Sequence, residues 1–212
     1  MSYIFLATCQ GFLNHKEELK AEESETSKEY TLQFPLANIG IPTLIENIHF
    51  DFDRATLKPE STAALDKLVE LLKENPNITI ELSSHCDYRG SEQYNKRLSQ
   101  KRAEAVCEYL KEHDIPADRL TPVGYGKERP KVIRKKMAEK YSWLKEKDTL
   151  TQEFIGKLPE EQQEICNQLN RRTEFLVLRT TYGLFDEKGK LRMPEPNKET
   201  RKEDDDDAII FE

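Results

Sequence analysis

Asp87 and Arg102 stand fifteen positions apart in SHCDYRGSEQYNKRLSQKRAEAV, residues 84–106. A carboxylate at one end can receive an ammonium group. A guanidinium at the other can offer two parallel, charge-assisted hydrogen bonds to a carboxylate, a geometry that lysine does not reproduce. From Ser91 onward the spacing is helical, and Tyr94, Leu98, Val106, Tyr109 and Leu110 recur at three- and four-residue steps. Arg102 sits within that apolar stripe, although Lys96, Gln100, Lys101, Glu104 and Glu108 mark the opposite face as solvated. An arginine so placed calls for a carboxylate partner. Asp87 follows the strand-like ITIELSS, and a helix returning antiparallel across a sheet brings its second or third turn to that rim. Two readings stay open at this point: an ion pair stapling helix to sheet, or two ends of a pocket for a zwitterionic ligand.

The surrounding elements must hold these two side chains. IENIHFDF alternates like a strand from Ile45, and LKPESTAALDKLVELLKENP reads as a helix with Pro59 in its first turn and an end before Pro76. Its stripe is Ala64, Leu65, Leu68, Leu71 and Leu72. NITIELSS is a second strand, DRLTPVGYG a short third strand closing on Gly124 and Gly126, and RRTEFLVLRTTY the last. Between Pro130 and Asn170 lies a helical insertion, in which Pro159 opens one helix and Asp148 or Thr149 caps the one before. Alternating helices and strands predict an α+β fold, a two-layer α/β sandwich with helices on one sheet face.

Residues 1–44 contain two strand-like pieces, SYIFLAT and EYTLQFPL, around the polar NHKEELKAEESETSKE, which has turn and loop composition. Too few strands are present to bury much alone. This segment is read as the tail of a β domain whose earlier strands are missing, or as an edge extension of the α+β domain that begins at Ile45. The domain proper is expected over 45–182 with its insertion at 131–169, and 183–212 as a mobile acidic tail whose AIIF could dock as a short strand.

With 36% hydrophobic and 34% charged residues, the chain is well solvated, and 212 residues suffice for a real core. A net charge of -7 argues against nucleic acid as a partner. YIFLA is far short of the roughly 20 residues that span a bilayer, so no membrane-spanning segment is expected. LATC, ending in Cys9, lacks the basic residue and apolar length of a lipoprotein leader. Tyr3 to Thr8 is read as a strand, and the chain as starting inside a longer protein. Cys9, Cys86, Cys107 and Cys166 show no CxxC pair or finger spacing, leaving free thiols or disulfides open. A metal site at His85, Cys86 and Asp87 is disfavoured, because strand neighbours point to opposite faces.

These residues carry a resemblance. HCDYRGSEQYNKRLSQKRAEAVCEYL is similar to the signature of the OmpA-like peptidoglycan-binding domain (OmpA C-terminal and peptidoglycan-associated lipoprotein type), T-D-x-x-G followed by N-x-x-L-S-x-x-R-A-x-x-V. Asp87, Gly90, Asn95, Leu98, Ser99, Arg102, Ala103 and Val106 fall in register. FDFDRATLKPE, VGYGKERP and NRRTEFLV resemble three further family motifs, in order. The resemblance implies a β-α-β-α-β-(helical insert)-β fold and a non-catalytic module, without cofactor, that grips peptidoglycan at the diaminopimelate of its peptide stem. Asp87 would accept the ammonium group and Arg102 the carboxylate. Asn95 would bind ligand or fix the loop, Leu98 would form an apolar wall, and Asp51 and Asp53 would line the pocket from the first strand. Cys86 stands where the family commonly has threonine. Arg171 and Arg172 also match a motif, but a double arginine entering a strand is more often structural pairing.

The implied setting is the periplasm, in association with the outer membrane and with other outer-membrane proteins as further partners. Two rival functions are a protein-interaction scaffold built on the insertion, and a cell-wall hydrolase using Asp51, Asp53 and Asp87. Against the hydrolase, an arginine near a carboxylate holds it ionised instead of raising it into the general-acid range.

Overall fold

In the computed structural model, residues 2–21, 29–34, 36, 38–51 and 53–184 are described. The central sheet has the order β3-β6-β4-β5, with β3 at Thr43–Leu44, β4 at Thr79–His85, β5 at Leu120–Gly126 and β6 at Thr173–Arg179. β4 runs parallel to β5 and antiparallel to β6, which also pairs antiparallel with β3. Helices α1 (Thr62–Glu74) and α2 (Glu92–Glu112) supply the second layer. The shared core joins Leu65, Leu68 and Leu72 of α1, Ile80 and Leu82 of β4, Val106 and Leu110 of α2, and Phe175 of β6. Burial of each such side chain contributes about 1.5–3 kcal/mol.

The α+β sandwich expected from the sequence is the architecture observed. Pro59 opens a short 3-10 turn leading into α1, and the helix ends at Asn75, before Pro76. Ser91 caps α2 by accepting the Tyr94 N–H. The first strand is a correction: instead of running from Ile45, strand pairing is confined to Thr43–Leu44, with a lone bridge between Phe50 and Leu57. The chain then turns tightly, with the Asp51 N–H bound to the Thr56 carbonyl and the Lys58 N–H to the His49 carbonyl. Buried Ser61 anchors that turn, accepting the His49 N–H at 2.8 Å and donating to its carbonyl at 3.0 Å. Backbone bonds taken locally are unavailable to a ladder, so the alternation at 45–51 does not become a strand.

α2 is also rotated from the stripe read in the sequence. Its buried residues are Asn95, Ser99, Ala103, Val106, Cys107 and Leu110, whereas Tyr94 is exposed and Leu98 and Arg102 only half-buried. The cause is the glycine pair of β5. A Cβ on Gly124 would stand 2.1 Å from the Gln100 backbone nitrogen and 2.6 Å from the Ser99 Oγ. One on Gly126 would stand 3.0 Å from the Lys96 nitrogen. Helix and strand therefore meet backbone to backbone, and the small residues Ser99 and Ala103 turn inward. Ser99 Oγ accepts the Gly126 N–H at 2.8 Å and Gln100 Oε1 accepts the Gly124 N–H at 2.8 Å.

The amino-terminal segment holds a second correction. β1 (Ser2–Ala7) pairs antiparallel with β2 (His15–Lys20), although HKEELK has loop composition. The described residues of EYTLQFPL, read as a strand, form none. β1 brings Ile4, Phe5 and Leu6 against Glu18, Glu17 and Lys16, and pairing with an apolar strand overrides the weak β-propensity of Glu and Lys. Leu13 enters the main core, and Asn14 exchanges two hydrogen bonds with the Asn75 side chain. Residues 1–182 form one compact unit.

The insertion makes three helices, α3 (Lys135–Lys140), α4 (Gln152–Ile155) and α5 (Glu160–Asn170). They close around a second core of Ile133, Leu144, Leu150, Ile155 and Cys166. Pro159 immediately precedes α5, as expected, but α4 is capped by Thr151, which accepts the Phe154 N–H, and not by Asp148 or Thr149. Asp148 instead accepts the Lys145 N–H in its own turn. All four cysteines are free thiols. The tail expected to be mobile, AIIF included, falls outside the described residues from 185 onward. No described helix is long and apolar enough to cross a membrane.

Candidate functional site

The two charged residues singled out in the sequence do not meet. Asp87, 7% exposed just past β4, accepts the Arg89 backbone N–H at 3.0 Å and the Arg89 guanidinium at 2.6 and 3.2 Å. A second guanidinium, that of Arg171, also donates to it. Glu164 of α5 completes the set, accepting from Arg171 at 2.7 Å and from Arg89 at 3.3 Å. Two carboxylates and two guanidiniums thus join the end of β4, the loop after it, the insertion and the start of β6. Burial raises the Asp87 pKa, but the bonds from Arg89 and Arg171 outweigh it and hold the carboxyl below its ordinary value.

Asn95, buried on α2, fixes the loop after Asp87. Its amide donates to the Arg89 carbonyl at 2.7 Å and packs against Gly90, whose φ of +85° suits glycine. Cys86 uses its backbone N–H, bound to the Gly126 carbonyl at 2.8 Å, and its thiol reaches the Asn95 carbonyl at 3.6 Å. The contact made where the family has threonine is therefore largely one of backbone.

Arg102 belongs to a separate cluster. Its Nε–H donates to the Arg54 carbonyl at 3.0 Å, and its guanidinium lies 4.9 Å from the Phe50 ring centroid. No carboxylate pairs with it, and its two Nη groups have no hydrogen-bond partner, among the described residues. Burial lowers its pKa, against opposing influences from Cys86 and Asp53. Asp53 accepts the Tyr94 hydroxyl, while Asp51 contributes backbone bonds to the turn.

Arg102 opens onto a cavity of about 530 Å³. The other cationic groups on its wall are Lys131, Lys140, Arg171 and Arg172. A register shift between Ser84 and His85 turns both onto the same cavity wall. Behind them Glu174 accepts a hydrogen bond from Lys131 at 2.6 Å and forms an ion pair with the Arg172 guanidinium at 3.0 Å. Burial raises the Glu174 pKa, but Arg172 and Lys131 override it and bring the value to about 2. His85 is driven the other way, to about 3, by burial first and then by Arg172. Although Glu174 lies 3.6 Å away, the imidazole is neutral at pH 7.

Of the seven residues expected at the site, Arg102 alone lines this cavity. Cys86 lines a smaller one of about 320 Å³ with Tyr88 and Lys127. Leu98, Asp51, Asp53, Asp87 and Asn95 line neither. Sequence reasoning assigned no role to Arg89, Glu164, Lys131, Lys140 or His85, and took Arg171 and Arg172 as structural pairing. Both arginines do pair with carboxylates, and both also face the cavity. The double arginine of NRR was the available signal; Lys140 and Glu164, on the insertion, had none.

Residues 49–142, which carry most of the ordered motifs, match the model of the OmpA family. Over 88 residues the chain is 34% identical to a peptidoglycan-associated lipoprotein of Rhizobium meliloti, covering 42% of this chain and 50% of that one. It is 36% identical over 84 residues to outer membrane porin F of Pseudomonas fluorescens, covering 40% of this chain and 26% of that one. With outer membrane protein A of Escherichia coli O157:H7 the identity is 39% over 90 residues, 42% of this chain and 26% of that one. The chain thus spans between a quarter and a half of the length of these curated relatives. A solved peptidoglycan-associated lipoprotein from Burkholderia pseudomallei superimposes with a TM-score of 0.44 at 25% identity, covering 61% of this chain and 87% of that one.

Proposed function

We propose that this chain binds cell-wall peptidoglycan non-covalently, through the diaminopimelate of the peptide stem, and so anchors an outer-membrane component to the wall. One observation carries the reading: the Arg102 fork is held from behind, by its Nε–H and by Phe50, while both Nη groups are left to a cavity rich in cationic side chains. Such a fork suits a planar carboxylate. The names of the relatives point the same way, since one is a peptidoglycan-associated lipoprotein. The corresponding setting is the periplasmic face of the outer membrane.

Asp87 is assigned the ligand ammonium. Its carboxylate is already occupied by Arg89 and Arg171, so the ammonium must take the place of one of them. Arg89 is the more readily displaced, with 53% of its side chain exposed. Asn95 holds the loop, and Asp51, Asp53, Leu98 and Cys86 shape the surroundings. Titration of the chain with meso-diaminopimelate, followed by NMR, tests this: saturable shifts are expected at Asp87, Asn95 and Arg102, and their absence would reject the site.

A second reading, a protein-interaction scaffold, draws on the insertion, which builds its own core of five buried residues. Pelleting with purified sacculi separates the readings. Co-sedimentation favours wall binding, failure to co-sediment favours the scaffold, and release of soluble muropeptides would instead mean hydrolysis.

A further inference from the structure

The cavity beside Arg102 carries more positive charge than its carboxylates compensate. Lys131 and Arg172 share Glu174, and Arg171 shares Asp87 and Glu164 with Arg89. Arg102 and Lys140 have no carboxylate partner among the described residues, and Glu46 is the one acidic residue on the cavity wall. The surplus is small, which suits an organic acid better than a polyphosphate. A volume of about 530 Å³ is within the usual range for small-molecule sites.

His85 supplies an independent sign of a ligand. It is 4% exposed and lines the cavity, yet neither ring nitrogen makes a hydrogen bond among the described residues. Glu174 Oε2, at 3.6 Å, is beyond hydrogen-bond reach. A neutral imidazole always carries one N–H, so a donor is buried here with no acceptor.

The geometry points to a dicarboxylate subsite in this cavity: one carboxylate rests on the Arg102 fork and the second is received by Lys140 and the His85 N–H. The inference rests on the wall-binding reading for Arg102 and adds a wall borne by the insertion, since Lys140 closes α3. It makes the insertion part of ligand selection, favouring a stem peptide that presents two carboxylates within one small cavity.

The test titrates the full chain with sodium glutarate and with sodium acetate, observing backbone amides and the His85 ring nitrogens by NMR. Glutarate is expected to bind about tenfold tighter than acetate, as one added charge-assisted contact implies, with saturable shifts at His85 and Lys140. The exposed Lys140 tolerates substitution, so Lys140→Met should reduce glutarate affinity to the acetate level while the Arg102 shifts persist. Equal affinities for the two acids, or a Lys140→Met variant that binds glutarate as the parent does, would overturn the subsite. Sacculus pelleting of the parent keeps the two claims apart. Wall binding without glutarate preference rejects the subsite alone, and glutarate preference without wall binding rejects the wall reading alone.

Discussion

Arg102 is bound to the Arg54 carbonyl and not to Asp87, the carboxylate fifteen residues before it. Asp87 has two other guanidiniums, so the pair that the sequence suggests as a staple does not form. Removal of Arg102 therefore leaves no buried charge stranded. Arg102→Ala should cost only about 1–2 kcal/mol, for one hydrogen bond and one ring contact, while abolishing sacculus binding. Chemical denaturation and pelleting on the same sample check this. Arg102→Lys should be near parental in stability and nearly as defective in binding, because it lacks the fork.

Arg89 occupies the group assigned to the ligand ammonium. Arg89→Ala should leave the fold intact, since Asp87 keeps Arg171, and should tighten diaminopimelate binding several-fold without altering acetate binding. Calorimetric titration of both ligands decides it; weaker diaminopimelate binding would make Arg89 a contributor to the site and not a competitor.

Two buried groups, His85 and Glu174, contribute to the acid stability. His85 has its folded pKa lowered to about 3, so between there and about 6.5 the unfolded chain binds a proton that the folded chain does not. Stability therefore falls with falling pH through that window, by about 1.4 kcal/mol per unit for one proton. Glu174, lowered to about 2, adds its own loss as pH drops below its unfolded value of roughly 4.3. His85→Gln should flatten the stability profile between pH 6.5 and 4.5 and leave the steeper fall below it. A parental profile that is already flat above pH 4.5 would contradict the burial of a neutral imidazole.

Gly124→Ala should destabilise severely, by about 3 kcal/mol or more, because its Cβ would meet helix backbone and not a yielding side chain. Thermal melts would show the loss. A near-parental melting temperature would mean that α2 can move away from β5 at little cost.

Cys86, Cys107 and Cys166 are buried, and burial pushes their thiols up to about 11, 12 and 11. Thiolate is the reactive form, so native-state labelling should modify the exposed Cys9 quickly and the other three only on unfolding. Counting thiols before and after denaturation should give one and then four.

The sequence by itself determined most of the elements and the register of their motifs. Pro59, Ser91 and Pro76 act on neighbouring backbone, and the spacing from Asp87 to Val106 is a property of the chain alone, so α1, α2, the strands β4, β5 and β6 and the ordered motifs were legible, whereas β2 and β3 before them were not. What touches Asp87 was not, because Arg171 and Glu164 come from elements 77 and more residues further along. Nor was the facing of α2: hydrophobicity placed Leu98 and Arg102 inward, but a glycine strand admits backbone more closely than it admits side chains, and Ser99 and Ala103 took the buried face. Only the tertiary structure decided that Arg102 looks outward, because close packing against Gly124 fixed the rotation of the helix that carries it.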